Sequence, residues 1–207
     1  MNFKPIAAAA LLAVAAWGSS ASATVVLYDN FDGEGPGDDL VWNGDSVFVP
    51  TSPPSSVDLI GVGGSYDFLP GNGSYLDLDG SSGSGLNPAG EITSISSFGA
   101  GTYTLTFLLA GNQRGAANQT TKITLGDWTT SINLASGAGF AAQAFTFTTT
   151  GGSLVFTEMG PSNQQGNLLD EVKLSAVPEP TTWAMMIVGF GLTGSMVRSA
   201  RRKQAFA

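Results

Sequence analysis

The sequence has 207 residues, with 8 Lys and Arg against 16 Asp and Glu, and it contains neither His nor Cys. The missing residue types exclude disulfide bonds, zinc sites made of thiolate or imidazole ligands, and catalysis by a His base or a Cys nucleophile. Every acidic residue lies between Asp29 and Glu179, where the basic residues are Arg114, Lys122 and Lys173. Because so acidic a surface repels polyanions, a nucleic-acid partner is excluded as well.

Residues 1–23 have the pattern of a secretory signal peptide. Lys4 supplies the positive start, residues 6–17 form a short Ala-rich apolar stretch, and residues 21–23 form a small-residue cleavage site. A permanent membrane anchor is the alternative, but the apolar stretch is short for that role. The sequence therefore predicts an exported protein whose mature chain begins at Thr24.

The body, residues 24–176, consists of short stretches that alternate apolar and polar residues with a period of two. Gly-rich turns separate these stretches, and no helical period of comparable length appears. The stretches are 24–28, 57–60, 74–79, 101–109, 122–125, 144–148, 152–157 and 168–174. This pattern predicts an all-β domain, and a jelly-roll β-sandwich is the simplest arrangement, since propellers and solenoids need an internal repeat that is absent.

An acidic loop follows the first predicted strand. It contains Asp29, Asp32, Glu34, Asp38 and Asp39, with Gly residues between them. Hard oxygen ligands on a flexible loop suit calcium. The loop lacks the terminal bidentate Glu of an EF-hand, so a solvated acidic loop is the alternative.

Three polar residues, Asn112, Gln113 and Arg114, follow an apolar strand directly in a Gly-flanked loop. Planar amides and a guanidinium form forked hydrogen bonds to sugar hydroxyls, and Trp128 offers a flat aromatic face. These four residues are the predicted carbohydrate-binding set. The alternatives are a salt bridge from Arg114 to one of the many carboxylates and a packing role for Trp128.

Asp77 and Asp79 alternate with Leu residues on one strand, at a separation that a glycoside hydrolase could use. A half-exposed strand has the same pattern, and no second feature indicates catalysis. We therefore expect no enzyme activity. The two main hypotheses are a polysaccharide-binding matrix module and a purely structural surface protein without a specific ligand, and a glycan-acting enzyme is the third.

The tail, residues 177–207, combines a rigid Pro-Glu-Pro step, an apolar run and a basic end. The run 181–197 carries no charge, and as a helix of about 17 residues it would span roughly 25 Å, the short limit for a bilayer. Basic residues beside a membrane segment stay in the cytoplasm, which places the body outside. The sequence thus predicts a single transmembrane helix, with a buried helix as the alternative.

The tail resembles the PEP-CTERM sorting signal in its PEPxxWA form. The residues that carry the resemblance are Pro178, Glu179, Pro180, Trp183, Ala184, Arg201 and Arg202. The resemblance implies an exosortase partner in the inner membrane, which cuts near the Pro-Glu-Pro step. It implies a membrane-anchored precursor and a final location at the cell surface or in the extracellular matrix.

The body is similar to galactose-binding-like jelly-roll modules, in particular the plant cell-wall-associated modules that read polysaccharides. The similar segments are 57–61, 70–80, 108–112 and 168–172. The resemblance implies an exopolysaccharide partner. It also implies a structural calcium between the end of the first strand and the last strand, where the matching residues are Asn30, Glu34 and Asp170.

Overall fold

A computed structural model describes most of the body and part of the tail. The described residues are 22–35, 37–51, 56–81, 89–115, 117–159, 163–178, 186–195 and 198. The predicted signal peptide lies outside them except for residues 22 and 23. Most of the predicted sorting motif also lies outside them, namely Glu179, Pro180, Trp183, Ala184, Arg201 and Arg202.

The described residues of the body form twelve strands and one short 3-10 turn at Asp32–Glu34. The strands are β1 (Thr24–Asp29), β2 (Asp38–Asp39), β3 (Phe48–Pro50), β4 (Asp58–Gly61), β5 (Ser74–Asp77), β6 (Glu91–Phe98), β7 (Gly101–Ala110), β8 (Gln119–Leu125), β9 (Trp128–Leu134), β10 (Ala141–Thr149), β11 (Gly152–Met159) and β12 (Leu168–Val177). The predicted β-rich body is confirmed. Four strands, β2, β3, β6 and β9, were not among the predicted stretches.

The strands pair in two antiparallel sheets. One sheet has seven strands in the order β10-β7-β12-β5-β4-β2, with β1 added against β12, and the other has five in the order β3-β6-β11-β8-β9. Because both sheets bury one face against each other, the predicted all-β sandwich is confirmed.

The core lies between the two sheets and is built by strand alternation. On β7, Tyr103, Leu105, Phe107 and Leu109 belong to the buried cluster, while the threonines between them are partly exposed. Phe107 meets Phe156 of the opposite sheet edge-to-face, with ring centroids 5.3 Å apart. Burial of each such side chain contributes about 1.5–3 kcal/mol, so these rings hold the sheets together.

The chain ends meet in the seven-stranded sheet. Strand β1 pairs with β12 in a register that sets Thr24 opposite Ala176 and Asp29 opposite Val172. The acidic loop after β1 therefore lies beside the start of β12.

The tail is described only in part. Residues 186–195 and 198 are helical, whereas the other residues of the predicted membrane helix 181–197 lie outside the described residues. Within the part of the chain that the structure describes, no helix is long and apolar enough to cross a bilayer.

Candidate functional site

The loop after β7 carries three of the four predicted carbohydrate-binding residues. Asn112 is fully buried, and its Oδ1 accepts hydrogen bonds from the Arg114 backbone N–H (3.0 Å) and the Ser136 hydroxyl (2.7 Å). Gln113 adopts a left-handed backbone, and its Nε2 donates to the Ala138 carbonyl at 2.6 Å. The side chains of Asn112 and Gln113 therefore fasten this loop to the loop that follows β9.

The Arg114 guanidinium makes an ion pair with Asp77. Its terminal NH2 group lies 2.5 Å from Asp77 Oδ2, and its Nε donates to the Asn112 carbonyl at 3.0 Å. The guanidinium carbon also lies 4.9 Å from the ring centre of Phe68. The side chain of Arg114 is 22% exposed and that of Asp77 is 3% exposed. The structure thus shows the salt-bridge alternative, and ligand contact by Arg114 stays a prediction.

Asp77 and Asp79, the two residues considered above as a possible catalytic pair, both accept hydrogen bonds from backbone N–H groups. Asp77 Oδ1 accepts the N–H groups of Asp79 (3.1 Å) and Gly166 (3.0 Å). Asp79 Oδ2 accepts those of Asn163 (2.7 Å) and Gln165 (3.1 Å). Both carboxyl groups are buried, and together they clamp the segment that leads into β12.

Four buried carboxyl groups share this end of the sandwich, and we call Asp58, Asp77, Asp79 and Glu158 the acidic end. Burial raises the pKa of Asp77 to about 7, although the Arg114 charge opposes the change. Burial likewise raises the pKa of Glu158 to about 8, with Asp77 and Asp79 adding to the effect. Negative charge in this low-dielectric region is therefore costly unless a cation compensates it.

An aromatic corner lies next to the acidic end, on the outer side of the seven-stranded sheet. It consists of Tyr66 and Phe68, whose ring centres are 6.2 Å apart, with Arg114 packed on Phe68. Phe68 packs on a second buried cluster that contains Tyr75, and the Tyr75 hydroxyl donates to Asp67 at 3.2 Å. Tyr66 remains 44% exposed.

Sequence reasoning missed this corner. The available signal was a pair of aromatic residues, two positions apart, in a Gly-rich loop. Aromatic side chains in loops are not periodic, so they do not stand out beside strands.

Trp128 lies far from the Arg114 loop. It is partly buried against the core and stacks on Phe147, with ring centres 3.8 Å apart and planes inclined by 8°. The seven residues of β8 separate it from the loop, a distance of about 23 Å at the rise of an extended strand. The structure therefore does not bring Trp128 together with Asn112, Gln113 and Arg114, and it shows a packing role for this side chain.

The predicted calcium residues lie where β1 meets β12. Asp170 is buried, which raises its pKa to about 7, and Asp32 adds to the effect. Asn30 Nδ2 donates to Asp32 Oδ2 at 3.0 Å, while Glu34 is exposed. Burial, and next to it the neighbouring Asp45 carboxyl, raise the pKa of Asp29 to about 7.

Oxygen atoms of this kind fit a hard cation, but the described residues include no group of three or more carboxylates arranged to hold one. The set Asn30, Glu34 and Asp170 stays a prediction.

Comparison with solved structures finds matches at low sequence identity and with TM-scores below 0.5. The K3 cleaved adhesin domain of Lys-gingipain from Porphyromonas gingivalis is 11% identical, with a TM-score of 0.49, over 74% of this chain and 100% of that one. The CBM22-1 xylan-binding domain of Paenibacillus barcinonensis Xyn10C is 11% identical, with a TM-score of 0.47, over 76% and 97%. A CBM22-1-GH10 xylanase 10B from Clostridium thermocellum is 9% identical, with a TM-score of 0.46, over 75% and 29%.

A search of curated proteins found no significant match. One family model matches the tail and confirms the resemblance to the PEP-CTERM sorting signal. The match covers the Pro-Glu-Pro step, the apolar run and the basic end. Residues 176–203 are a PEP-CTERM protein-sorting motif, so this chain carries that sorting signal.

Proposed function

We propose that this protein is exported, sorted by an exosortase to the cell surface or extracellular matrix, and binds exopolysaccharide there through a non-catalytic β-sandwich. The match of residues 176–203 to the sorting motif carries the proposal. The body in front of it consists of two sheets and contains many more acidic than basic residues. A structural surface protein without a specific ligand is the second candidate.

The sorting step is tested at the Pro-Glu-Pro sequence. Glu179→Ala is expected to leave the protein held in the membrane, because the processing enzyme reads the rigid acidic step outside the bilayer. Fractionation and intact mass of the product measure this. Thr182→Ala, two residues beyond Pro180, is the matched control and should be processed normally. If Glu179→Ala is released and cut like the parent, this role of the step is wrong.

The glycan-binding proposal draws on the aromatic corner. An exposed Tyr66 ring offers a sugar a flat apolar face beside polar loop atoms, and the Phe68 ring lies next to it. The net charge of −8 opposes an anionic polymer, so a neutral glycan is the better partner.

Tyr66→Ala is expected to weaken retention in affinity electrophoresis through the organism's own exopolysaccharide. The loss should be on the order of 1 kcal/mol, the value of an aromatic contact beyond its buried area. Tyr66→Phe keeps the aromatic ring, so the exopolysaccharide should retain this variant as strongly as the parent. Ile95→Ala removes another exposed apolar side chain, on the five-stranded sheet, and should have no effect. Equal retention of Tyr66→Ala and the parent would favour the structural candidate.

We also propose that calcium joins the chain ends through Asn30, Glu34 and Asp170, as the jelly-roll resemblance implies. A ligand that binds only the folded state stabilises it by mass action, so a chelator should lower the melting temperature and added Ca²⁺ should restore it. Asp170→Asn is expected to reduce this response. An unchanged melting curve, in protein shown to be free of metal, would contradict the proposal.

A further inference from the structure

Three buried oxygen atoms near the acidic end have no hydrogen-bond donor among the described residues. They are Glu158 Oε1, Gln165 Oε1 and Asn167 Oδ1. The side chains of Glu158 and Asn167 are 1% and 0% exposed. Buried polar atoms in folded proteins almost always have partners, so three unpartnered oxygens within ten residues of chain point to a bound water or a bound cation.

The orientation of these groups follows from a chain of hydrogen bonds. Asn167 Nδ2 donates to Thr121 Oγ1 at 2.9 Å, and the Thr121 hydroxyl donates to Glu158 Oε2 at 2.9 Å. The Thr121 hydroxyl has one hydrogen, which it donates to Glu158, so Asn167 Oδ1 and Glu158 Oε1 make no hydrogen bond of good geometry with the described residues. The Asn167 backbone N–H also interacts with the Glu158 carboxyl and, with Thr121, opposes the rise in its pKa. Each free oxygen therefore lies within about 5 Å of the Thr121 hydroxyl.

The surroundings of Glu158 are negative. Asp77 and Asp79 both raise the pKa of its carboxyl through their charges. The one ion pair of the described residues joins Arg114 to Asp77. The Glu158 carboxylate has no such partner there.

This group is separate from the predicted calcium residues at the β1–β12 junction. Leu169 belongs to the core between the sheets, whereas Leu168 belongs to the cluster on the outer side of the seven-stranded sheet. By strand alternation Asn167 lies on the inner side with Leu169, and Asp170 lies on the outer side with Leu168. The two sets of oxygens therefore lie on opposite faces of that sheet.

We propose that Glu158, Gln165 and Asn167 bind a hard cation of the Ca²⁺ class between the sheets. Carboxylate and amide oxygens are ligands that Ca²⁺ takes, and these three oxygens would supply part of its shell of six to eight ligands. The backbone of Gln165 is held by Asp79, and that of neighbouring Gly166 by Asp77. A bound cation would thus lock the clamped segment onto the acidic end.

The test is thermal melting of the full chain in detergent, first with chelator and then titrated with CaCl₂ at pH 8.5. Asp170→Asn removes the junction site, and this variant is expected to keep a Ca²⁺-dependent rise in melting temperature. Adding Glu158→Gln, which preserves the shape of the side chain, should abolish that rise. Gln165→Ala in the Asp170→Asn background should raise, about tenfold, the Ca²⁺ concentration that gives half of the rise in melting temperature. This variant replaces Glu158→Gln in the test if Glu158→Gln does not fold.

Two results would overturn the proposal. One is a Ca²⁺ response in the Asp170→Asn, Glu158→Gln protein equal to that of Asp170→Asn alone. The other is the absence of a Ca²⁺ response in Asp170→Asn. If the melting temperature of that variant also falls between pH 6 and 9, and this fall disappears after Glu158→Gln, the carboxyl holds a proton rather than a metal ion.

Discussion

Replacing Arg114 with alanine is expected to lower the free energy of unfolding by about 2 to 4 kcal/mol. The change leaves the buried Asp77 carboxylate without its cation and removes the contact with Phe68. Breaking a fully buried pair costs about 3 to 5 kcal/mol, and the partial exposure of Arg114 reduces this figure. Urea unfolding of the full chain measures the difference.

Two further measurements show whether Arg114 stabilises the fold through its salt bridge to Asp77 or contacts a ligand. Arg114→Lys keeps the charge but loses the Nε donor and the planar fork, so it should recover part of the stability. Polysaccharide retention of Arg114→Ala, measured where the variant is folded, should equal that of the parent. Reduced retention with unchanged stability would instead restore the predicted ligand role.

Replacing Phe156 with alanine is expected to cost about 3 to 5 kcal/mol, the range for deletion of a large buried ring. Its ring is fully buried and packs edge-on against Phe107 and Phe48, at centroid distances of 5.3 and 6.3 Å. The loss combines the transfer free energy of the ring with a cavity that two stiff sheets cannot close.

Val25→Ala is the control for this variant, because Val25 is 53% exposed on β1. Substitution there should change the free energy of unfolding by less than about 0.5 kcal/mol. If Phe156→Ala is no more costly than Val25→Ala, the rings do not hold the sheets together. The slope of unfolding against urea should stay constant, since both variants expose similar surface on unfolding.

Much of the fold follows from local patterns. Strand β7 alternates Tyr103, Leu105 and Phe107 with threonines, and this alternation predicts both its extended form and its buried face. Strand β9 was missed because its residues are mainly polar. Its partner β8 decides its conformation through backbone pairing, from Gln119 opposite Leu134 to Leu125 opposite Trp128.

The candidate site was predicted less well, for a related reason. The loop that contains Asn112, Gln113 and Arg114 has the composition of a binding loop. Composition does not show which of these side chains already make hydrogen bonds within the protein. Asp77 lies 37 residues from Arg114 in sequence, and the pairing of β12 with both β5 and β7 brings them together. A contact of this kind depends on strand order, which no local pattern specifies.

The sequence by itself determined the all-β class of the body and the sorting signal of the tail. Both are local: a period of two places side chains on alternate faces, and a sorting enzyme reads a short linear motif. Only the tertiary structure decided that Arg114 pairs with Asp77, that Tyr66 is exposed, and that Glu158 and Asn167 leave oxygens without donors. These features arise where two sheets and their loops meet, because burial and hydrogen-bond partners are set by groups distant in the chain.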